Sequence, residues 1–352
     1  MSGVDASLLD RVRARLAELP DAPSPMTVAS AVRAESAGVV GDTDLLRIVR
    51  ELQTELTGVG PLEPLLADPT VTDILVCGPD AVWVDRGVGL ECSEIRFADD
   101  AAVRRLAQRL ALLAGRRLDD AQPWVDGRLP GSGGDDFGVR LHAMLAPVSA
   151  PGSCISLRVL RPATQRLDSL AASGAIHPRA LELLEAIVDT RLAFLIVGGT
   201  GAGKTTLLAG MLARVAERER IICVEEAAEL APAHPHVVRL IARPQNVEGI
   251  GEITVRQLVR QALRMRPDRI VVGEVRGAEV VDLLTALNTG HDGGAGTVHA
   301  NSPQELPARL EALAALGGMG RDALHSQLAA AVLSVGRLGC SGLFPASNLS
   351  LI

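Results

Sequence analysis

GGTGAGKTT, residues 198–206, follows without a break on the apolar run LAFLIV, residues 192–197. A short apolar run that gives way to spaced glycines and then to Lys-Thr-Thr reads as a buried strand, a tight loop and the first turn of a helix. Gly198, Gly203, Lys204 and Thr205 satisfy the phosphate-loop pattern G-x-x-x-x-G-K-[ST]. Glycines let the backbone wrap closely, so that successive N–H groups and the helix N-terminus meet a β-phosphate. Lys204 then reaches the β/γ oxygens and the Thr205 hydroxyl meets Mg²⁺. The expected nucleotide-binding residues are Gly198, Gly199, Thr200, Gly201, Ala202, Gly203, Lys204, Thr205 and Thr206, with the metal held at Thr205 through the nucleotide. Alone, this loop says ATP or GTP and is shared by kinases, GTPases, recombinases, transporters and motors.

Downstream of the loop the pattern alternates. Strand-like RIICVE (220–225), a helix over 254–265, strand RIVVGEV (269–275), helix AEVVDLLTALNTG (278–290) and strand GTVHA (296–300) succeed one another, and a helix over 180–188 precedes LAFLIV. Strands alternating with helices predict an α/β domain with a doubly wound, largely parallel sheet. Upstream the pattern is different. Leu8, Leu9, Val12 and Leu16 have helical spacing, the Pro-rich LPDAPSP (19–25) reads as a link, and a second helical pattern covers 43–56. DILVCG, AVWVDR and EIRF between 71 and 97 predict a curved or meandering sheet. An amphipathic helix over 101–117 and the strands VRLHAML (139–145) and CISLRVL (154–160) follow. The expected division is a helical lead at 1–57, a smaller α+β domain at 58–160, a linker at 161–176 and the phosphate-loop domain at 177–352.

Composition narrows the function classes. The 352 residues carry a formal charge of -7, and aromatics are 2% with no Tyr, so the chain lacks both the basic footprint and the stacking rings of a dedicated nucleic-acid binder. No apolar segment approaches the roughly 20 residues that span a bilayer, and the opening MSGVDASLLDRVRARL lacks the apolar centre of a signal peptide, so the reading is cytoplasmic. Cys77, Cys92, Cys154, Cys223 and Cys340 have no paired spacing and read as reduced core thiols.

Three further stretches carry chemistry. RIVVGEVRG (269–277) delivers Glu274 to a strand end, where a carboxylate can polarise an attacking water or hold a metal's hydration shell, with Arg276 immediately after it. CVEEAAEL (223–230) clusters Glu225, Glu226 and Glu229, an acidic group that beside polyphosphate needs Mg²⁺ or arginine to compensate it. In TGHDGGAGTVHANSP (289–303), His299 at a strand end can hydrogen-bond a γ-phosphate, while His291 is balanced between that role and a structural one. His234 and His236 read as a loop rather than a metal fragment.

In this order, GGTGAGKTT, CVEEAAEL, LRMRPDRIVVGEVRGAE and NTGHDGGAGTVHANSP resemble the type II/IV secretion ATPase superfamily, with its phosphate loop, acidic box, strand-end Glu and histidine box. The likeness is greatest to the Tad/CpaF-type (tight adherence, Flp pilus) assembly ATPases. GVGPLEPLLADPTVTDILVCGPD and VDGRLPGSGGDDFGVRLHAMLAPVSAPGSCISLRVL resemble that family's N-terminal domain. The resemblance implies a RecA-like ATPase using ATP and Mg²⁺ and assembling as a homo-oligomer, a hexameric ring. The ring would lie at the cytoplasmic face of the membrane and act on polytopic inner-membrane platform proteins, without direct nucleic-acid binding. It also implies that first-domain arginines, here Arg140 and Arg158, close over the phosphates and join Glu274, Glu226, Glu225, Arg276 and His299 as the catalytic set. Departures are Glu226 where the family commonly has Asp, a longer turn PGSGGDDFG, and an ending after Leu333 that lacks the family's further strand-like segments, an altered or truncated C-terminus. A DNA-handling ATPase of conjugative transfer is the alternative, on the strength of Arg256, Arg260, Arg264 and Arg266 in VRQLVRQALRMRPDR. A degenerate, slowly turning subunit is a third.

Overall fold

The computed structural model of the chain describes residues 58–129, 138–199, 201–245, 249–300 and 302–331, helical positions between 8 and 52 (25–36 among them), and two short strands after 331. The chain forms two compact units, Met1–Leu160 and Arg161–Ile352.

The first unit opens with a small apolar cluster in which Leu8, Val12 and Leu16 meet Val28, Val32, Leu45, Ile48 and Leu52. Val28 and Val32 belong to helix α1 (Pro25–Glu35), which begins inside the stretch read as a link. Pro25 misleads because proline's fixed φ suits the first turn of a helix as well as it suits a turn. A short helix α2 (Glu63–Ala67) precedes strands β1 (Asp73–Cys77), β2 (Val82–Asp85) and β3 (Leu90–Cys92). Helix α3 (Asp100–Leu113), capped by the Asp99 carboxylate accepting from Ala102 N at 2.7 Å, leads to β4 (Trp124–Leu129), β5 (Val139–Met144) and β6 (Cys154–Val159). These six strands form one sheet in the order β3-β2-β1-β6-β5-β4, antiparallel throughout. β1, β2 and β3 form the meander expected within 71–97, and β6 pairs with the other side of β1. EIRF is not a strand. The third strand is Leu90–Cys92, and the chain then turns so that Phe97 is buried ahead of α3. β4, unread in the sequence, carries Gly127 opposite Leu141. Ile74, Val76, Leu141, Ala143, Ile155 and Leu157 alternate inward and share a core with Val103, Leu106 and Leu110 of α3.

The second unit contains α4 (Leu167–Ala172), α5 (Pro178–Asp189), β7 (Phe194–Gly198), α6 (Lys204–Leu212), β8 (Ile221–Glu225), β9 (Val237–Ile241), α7 (Val255–Ala262) and β10 (Arg269–Val275). It continues with α8 (Glu279–Leu287), β11 (Ala295–His299), α9 (Leu306–Leu316), α10 (Arg321–Ala331), β12 (Ser334–Arg337) and β13 (Leu349–Ser350). The stretch 161–176, expected as a linker, contains α4, whose Leu167 is buried. The strand order is β13-β12-β7-β11-β10-β8-β9, with every pair parallel except β12 with β13. β7 and β8 are buried at every position, as a parallel sheet covered on both faces requires. On one face Val197, Val224 and Val272 pack with Val259, Leu283 and Leu310 of α7, α8 and α9; on the other Ile196, Cys223 and Val271 pack with Leu184 and Leu208 of α5 and α6. After Leu333, 334–337 pairs with β7 and 349–350 pairs with 334–337, the residues between lying outside those described.

The reading of the cysteines as core thiols holds for Cys223, which is buried. Cys77 and Cys92 are exposed and Cys154 is half-buried, because these three fall on β1, β3 and β6 at positions whose side chains face away from the core; Cys340 lies outside the described residues. No helix among the described residues is long and apolar enough to cross a membrane.

Candidate nucleotide site

Because β7, β8, β10 and β11 are parallel, their carboxyl ends lie along one edge of the sheet, where ligands of open α/β sheets bind. The phosphate loop leaves β7 at that edge. Gly201 and Gly203 have φ of +72° and +85°, values that a side chain resists, while a Cβ on either would meet no protein atom within 4 Å. The glycines are therefore required for backbone conformation and for close approach from outside. Gly203 is the N-cap of α6 and Leu207 N donates to its carbonyl at 2.9 Å. Thr200 lies outside the described residues; Gly198 is the last residue of β7, Gly199 and Ala202 lie in the loop and Thr206 in the first turn of α6. Lys204 Nζ donates to the carbonyls of Gly198 at 3.0 Å and Gly199 at 2.7 Å, so the ammonium is folded back over the loop it belongs to. Burial lowers its affinity for a proton, opposed by the charges of Glu274 and Glu229, with Arg276 adding to the lowering.

The acidic residues converge there. Thr205 Oγ1 donates to Glu229 Oε2 at 3.4 Å, and Arg276 bridges two carboxylates, donating from Nη1 to Glu226 Oε2 and from Nη2 to Glu274 Oε2, both at 2.7 Å. Arg276 is held in turn: Glu279 Oε1 accepts from the backbone N–H of Arg276 at 2.6 Å and of Gly277 at 2.7 Å, pinning the exit of β10 to the start of α8. The sequence reading passed over Glu279, although a carboxylate in the first turn of a helix is a recognisable signal.

Glu225 is different in kind. It is 3% exposed, its Oε1 accepts from Glu229 N at 3.1 Å and Leu230 N at 2.9 Å, and its Oε2 is buried without a hydrogen-bond partner. Burial pushes its pKa up to about 7 despite those two donors. The side chain lies across Gly273, where a Cβ would come within 2.8 Å of Glu225 Cγ. Glu225 thus organises the turn carrying Glu226 and Glu229 and does not itself reach the loop lysine through any bond among those described.

His299 ends β11 in register with Gly198, beside the first residue of the loop. His291 sits before the amino end of β11, away from that edge, with Nδ1 3.2 Å from Ala286 O, so the structural reading holds for it. His236 lies 3.1 Å from Arg220 Nη1 and His234 3.1 Å from Ala216 O, and no cluster of metal-ligating side chains occurs among the described residues. Arg256 and Arg260 of α7 both donate to Asp282 of α8, at 2.7 and 2.6 Å.

In the first unit, Arg128, Arg140 and Arg158 are register neighbours across β4, β5 and β6. Arg140 forms two bonds with the Asp126 carboxylate, at 3.2 and 2.7 Å, and Arg158 Nε donates to Asp73 Oδ1 at 2.8 Å. Both guanidiniums are exposed and on the face opposite α3.

A parallel sheet carrying a phosphate loop, with strand-end carboxylates beside its lysine and threonine, defines a nucleotide-binding phosphate-loop protein. Residues 55–338 match the type II/IV secretion system protein family, and the chain belongs to that family. It is 72% identical over 294 residues, 84% of each chain, to a putative conjugal transfer protein of Mycobacterium tuberculosis (strain H37Rv). It is 32% identical over 273 residues to the probable conjugal transfer protein TrbB of Sinorhizobium fredii, covering 76% of this chain and 79% of that one. Among solved structures, the pilus retraction motor PilT with bound ADP superposes with a TM-score of 0.56 at 20% identity, covering 80% of this chain and 78% of that one. The Legionella pneumophila ATPase DotB superposes with 0.55 at 21% identity, covering 76% and 72%. At those identities the structures speak to the fold.

Proposed function

We propose that this chain is the ATP-hydrolysing motor of a pilus-assembly or secretion machine, of the Tad/CpaF kind within its family. The observation that carries the reading is the meeting of Lys204, Thr205, Glu229, Glu274, Glu226 and Arg276 at one sheet edge. Loop N–H groups and Lys204 hold the phosphates, and Glu274 aligns the attacking water. Arg276 balances the acidic pair, Glu225 sets the turn behind Glu226, and His299 reports the γ-phosphate. The donors around Thr205 are hydroxyl and carboxylate oxygens, a set suited to Mg²⁺, which Thr205 would hold and which would neutralise developing phosphate charge. Arg140 and Arg158 serve as the charges that close over the γ-phosphate. In the first unit they are bonded to Asp126 and Asp73, bonds a γ-phosphate would compete with.

On this reading 58–160 is the N-terminal domain and 177–352 a RecA-like, doubly wound motor domain. A homohexameric ring works from the cytoplasm on polytopic inner-membrane platform proteins. Lys204→Ala removes the β/γ-phosphate contact: ATP turnover in the full chain falls to background while the circular dichroism spectrum is kept. Unchanged hydrolysis would overturn the site assignment.

The second reading, a DNA-handling ATPase of conjugative transfer, draws on the conjugal-transfer relatives. The pairing of Arg256 and Arg260 with Asp282 disfavours it, since those cations are already engaged within the protein. ATPase stimulation by DNA that fades with added salt would reverse the preference.

A further inference from the structure

β1 and β6 run antiparallel in the first unit, in the register Asp73↔Arg158, Leu75↔Ser156 and Cys77↔Cys154. Two bonds set the alternation of that ladder: Val159 N donates to Thr72 O at 2.9 Å, and Gly78 N to Ser153 O at 3.1 Å. Pairs 72/159 and 78/153 are thereby hydrogen-bonded pairs, which makes 77/154 a non-hydrogen-bonded pair. In such pairs the Cα atoms lie about 4.5 Å apart and the side chains are at their closest. A disulfide spans Cα separations of about 4.4–6.8 Å, a range that includes the spacing typical of such pairs.

Both sulfurs are also on one face. Ile74, Val76, Ile155 and Leu157 turn into the core, leaving Cys77 and Cys154 on the opposite face together with Asp73 and Arg158. The 2.8 Å ion pair of Asp73 with Arg158, another non-hydrogen-bonded pair of the same ladder, shows that directly opposed side chains touch across these strands. Cys77 is exposed, whereas Cys154 is half-buried, its Sγ 3.1 Å from Ser149 Oγ and 3.5 Å from Gly152 O. Although the residue is exposed, partial desolvation of its sulfur, and then the adjacent Cys154 thiol, hold the Cys77 proton more tightly than in a free cysteine.

We infer that Cys77 and Cys154 are a dithiol–disulfide pair, a redox-modification site of the first unit whose oxidant is a low-molecular-weight disulfide. Cys77, the accessible thiol, attacks as its thiolate on one sulfur of the small disulfide. A Cys77 mixed disulfide forms and one small thiolate leaves, taking up the proton that Cys77 gave up. Cys154, as its thiolate, then attacks the Cys77 sulfur; the protein S–S bond forms, and the second small thiolate departs with the Cys154 proton. Two electrons pass from the cysteine pair to the small disulfide, and a small dithiol or excess thiol reverses both steps. The product staples β1 to β6 on the face that carries Arg158.

The test equilibrates the full native chain with mixtures of oxidised and reduced glutathione, quenches with acid, alkylates the free thiols and maps the peptides by mass spectrometry. A reversible 77–154 crosslink is expected as the first disulfide formed, with Cys92 and Cys223 still alkylated and amide exchange slowed across 73–77 and 154–158. Cys154→Ser should stop at the Cys77–glutathione adduct, and Cys77→Ser should leave Cys154 unmodified. A 77–154 link no more frequent in the native chain than in guanidinium chloride overturns the inference, as do adducts on both cysteines or links through Cys92. The wild-type map decides the matter even if a variant fails to fold.

Discussion

Glu225 occupies an unusual position for a carboxyl group, since its two backbone donors serve one oxygen while the other is buried and unbonded. Its pKa of about 7 in the folded protein lies above the ordinary carboxylate value it regains on unfolding. Below about pH 4 both states hold the proton and the group does not tilt the balance. Between about pH 4.5 and 7 only the folded state holds it, so the unfolded chain binds fewer protons and stability declines as pH rises. The expected loss is on the order of 3 kcal/mol in full. Glu225→Gln, which keeps an acceptor for Glu229 N and Leu230 N, should flatten that decline. Urea midpoints of both proteins at about pH 5 and 8 measure it, and equal slopes would refute the buried-acid account. Arg269 makes the opposite case at the far end of β10: 2% exposed, it is matched by Glu219 at 2.8 Å and by the Val188 carbonyl at 2.9 Å, a satisfied buried pair rather than a stressed one.

Among the elements, α7 is the most completely specified by its own sequence. Thr254 Oγ1 accepts from Gln257 N at 3.2 Å, and Gln257 returns a bond to Thr254 N at 2.8 Å, a full capping box. Thr254→Ala should cost about 1 kcal/mol in chemical denaturation and leave nucleotide binding unaltered. The long, uninterrupted apolar strands were legible for the same reason: RIVVGEV is β10 to the residue, because burial on both faces leaves no polar break to blur its ends. Elsewhere the signal was local and the answer was not. WVDGRL goes unread because Gly127 interrupts its strand pattern, yet Gly127 sits where a Cβ would come within 2.8 Å of the Ala114 Cβ, so the glycine marks close packing within a strand. VVRLI at β9 and the Ala-rich α9 and α10 escaped because neither run has a strong period of its own. In the site, the carboxylates Glu225, Glu226 and Glu274 were legible as strand ends. The division of labour among them, with Glu225 turned inward by Gly273 and Glu229 on Thr205, arises from contacts far apart in the chain.

Taken as a whole, the molecule divides its proposed task between two units. The phosphate loop and strand-end carboxylates belong to Arg161–Ile352, and the proposed closing arginines to Met1–Leu160. Nucleotide binding should therefore respond to the second unit and hydrolysis to both. Arg158→Ala is expected to lower ATP turnover by on the order of 10³-fold, in keeping with arginines that stabilise transferring phosphate. ADP affinity should change little, because ADP has no γ-phosphate for the arginine to meet. Calorimetric titration with ADP beside a phosphate-release assay separates the two effects. A parallel loss of both would place Arg158 in the architecture of its own sheet, through Asp73, rather than in catalysis.

β7 takes one neighbour, β11, from residues 295–299 and the other, β12, from residues 334–337, both far downstream of it. On the ribosome the phosphate-loop strand is therefore complete on neither side when it emerges, and its outer side stays bare until residues 334–337 have been made. A nascent chain stalled in α9 or α10 would display Phe194–Gly198 as a naked edge, a natural handle for a chaperone and the first place for the unfinished protein to aggregate.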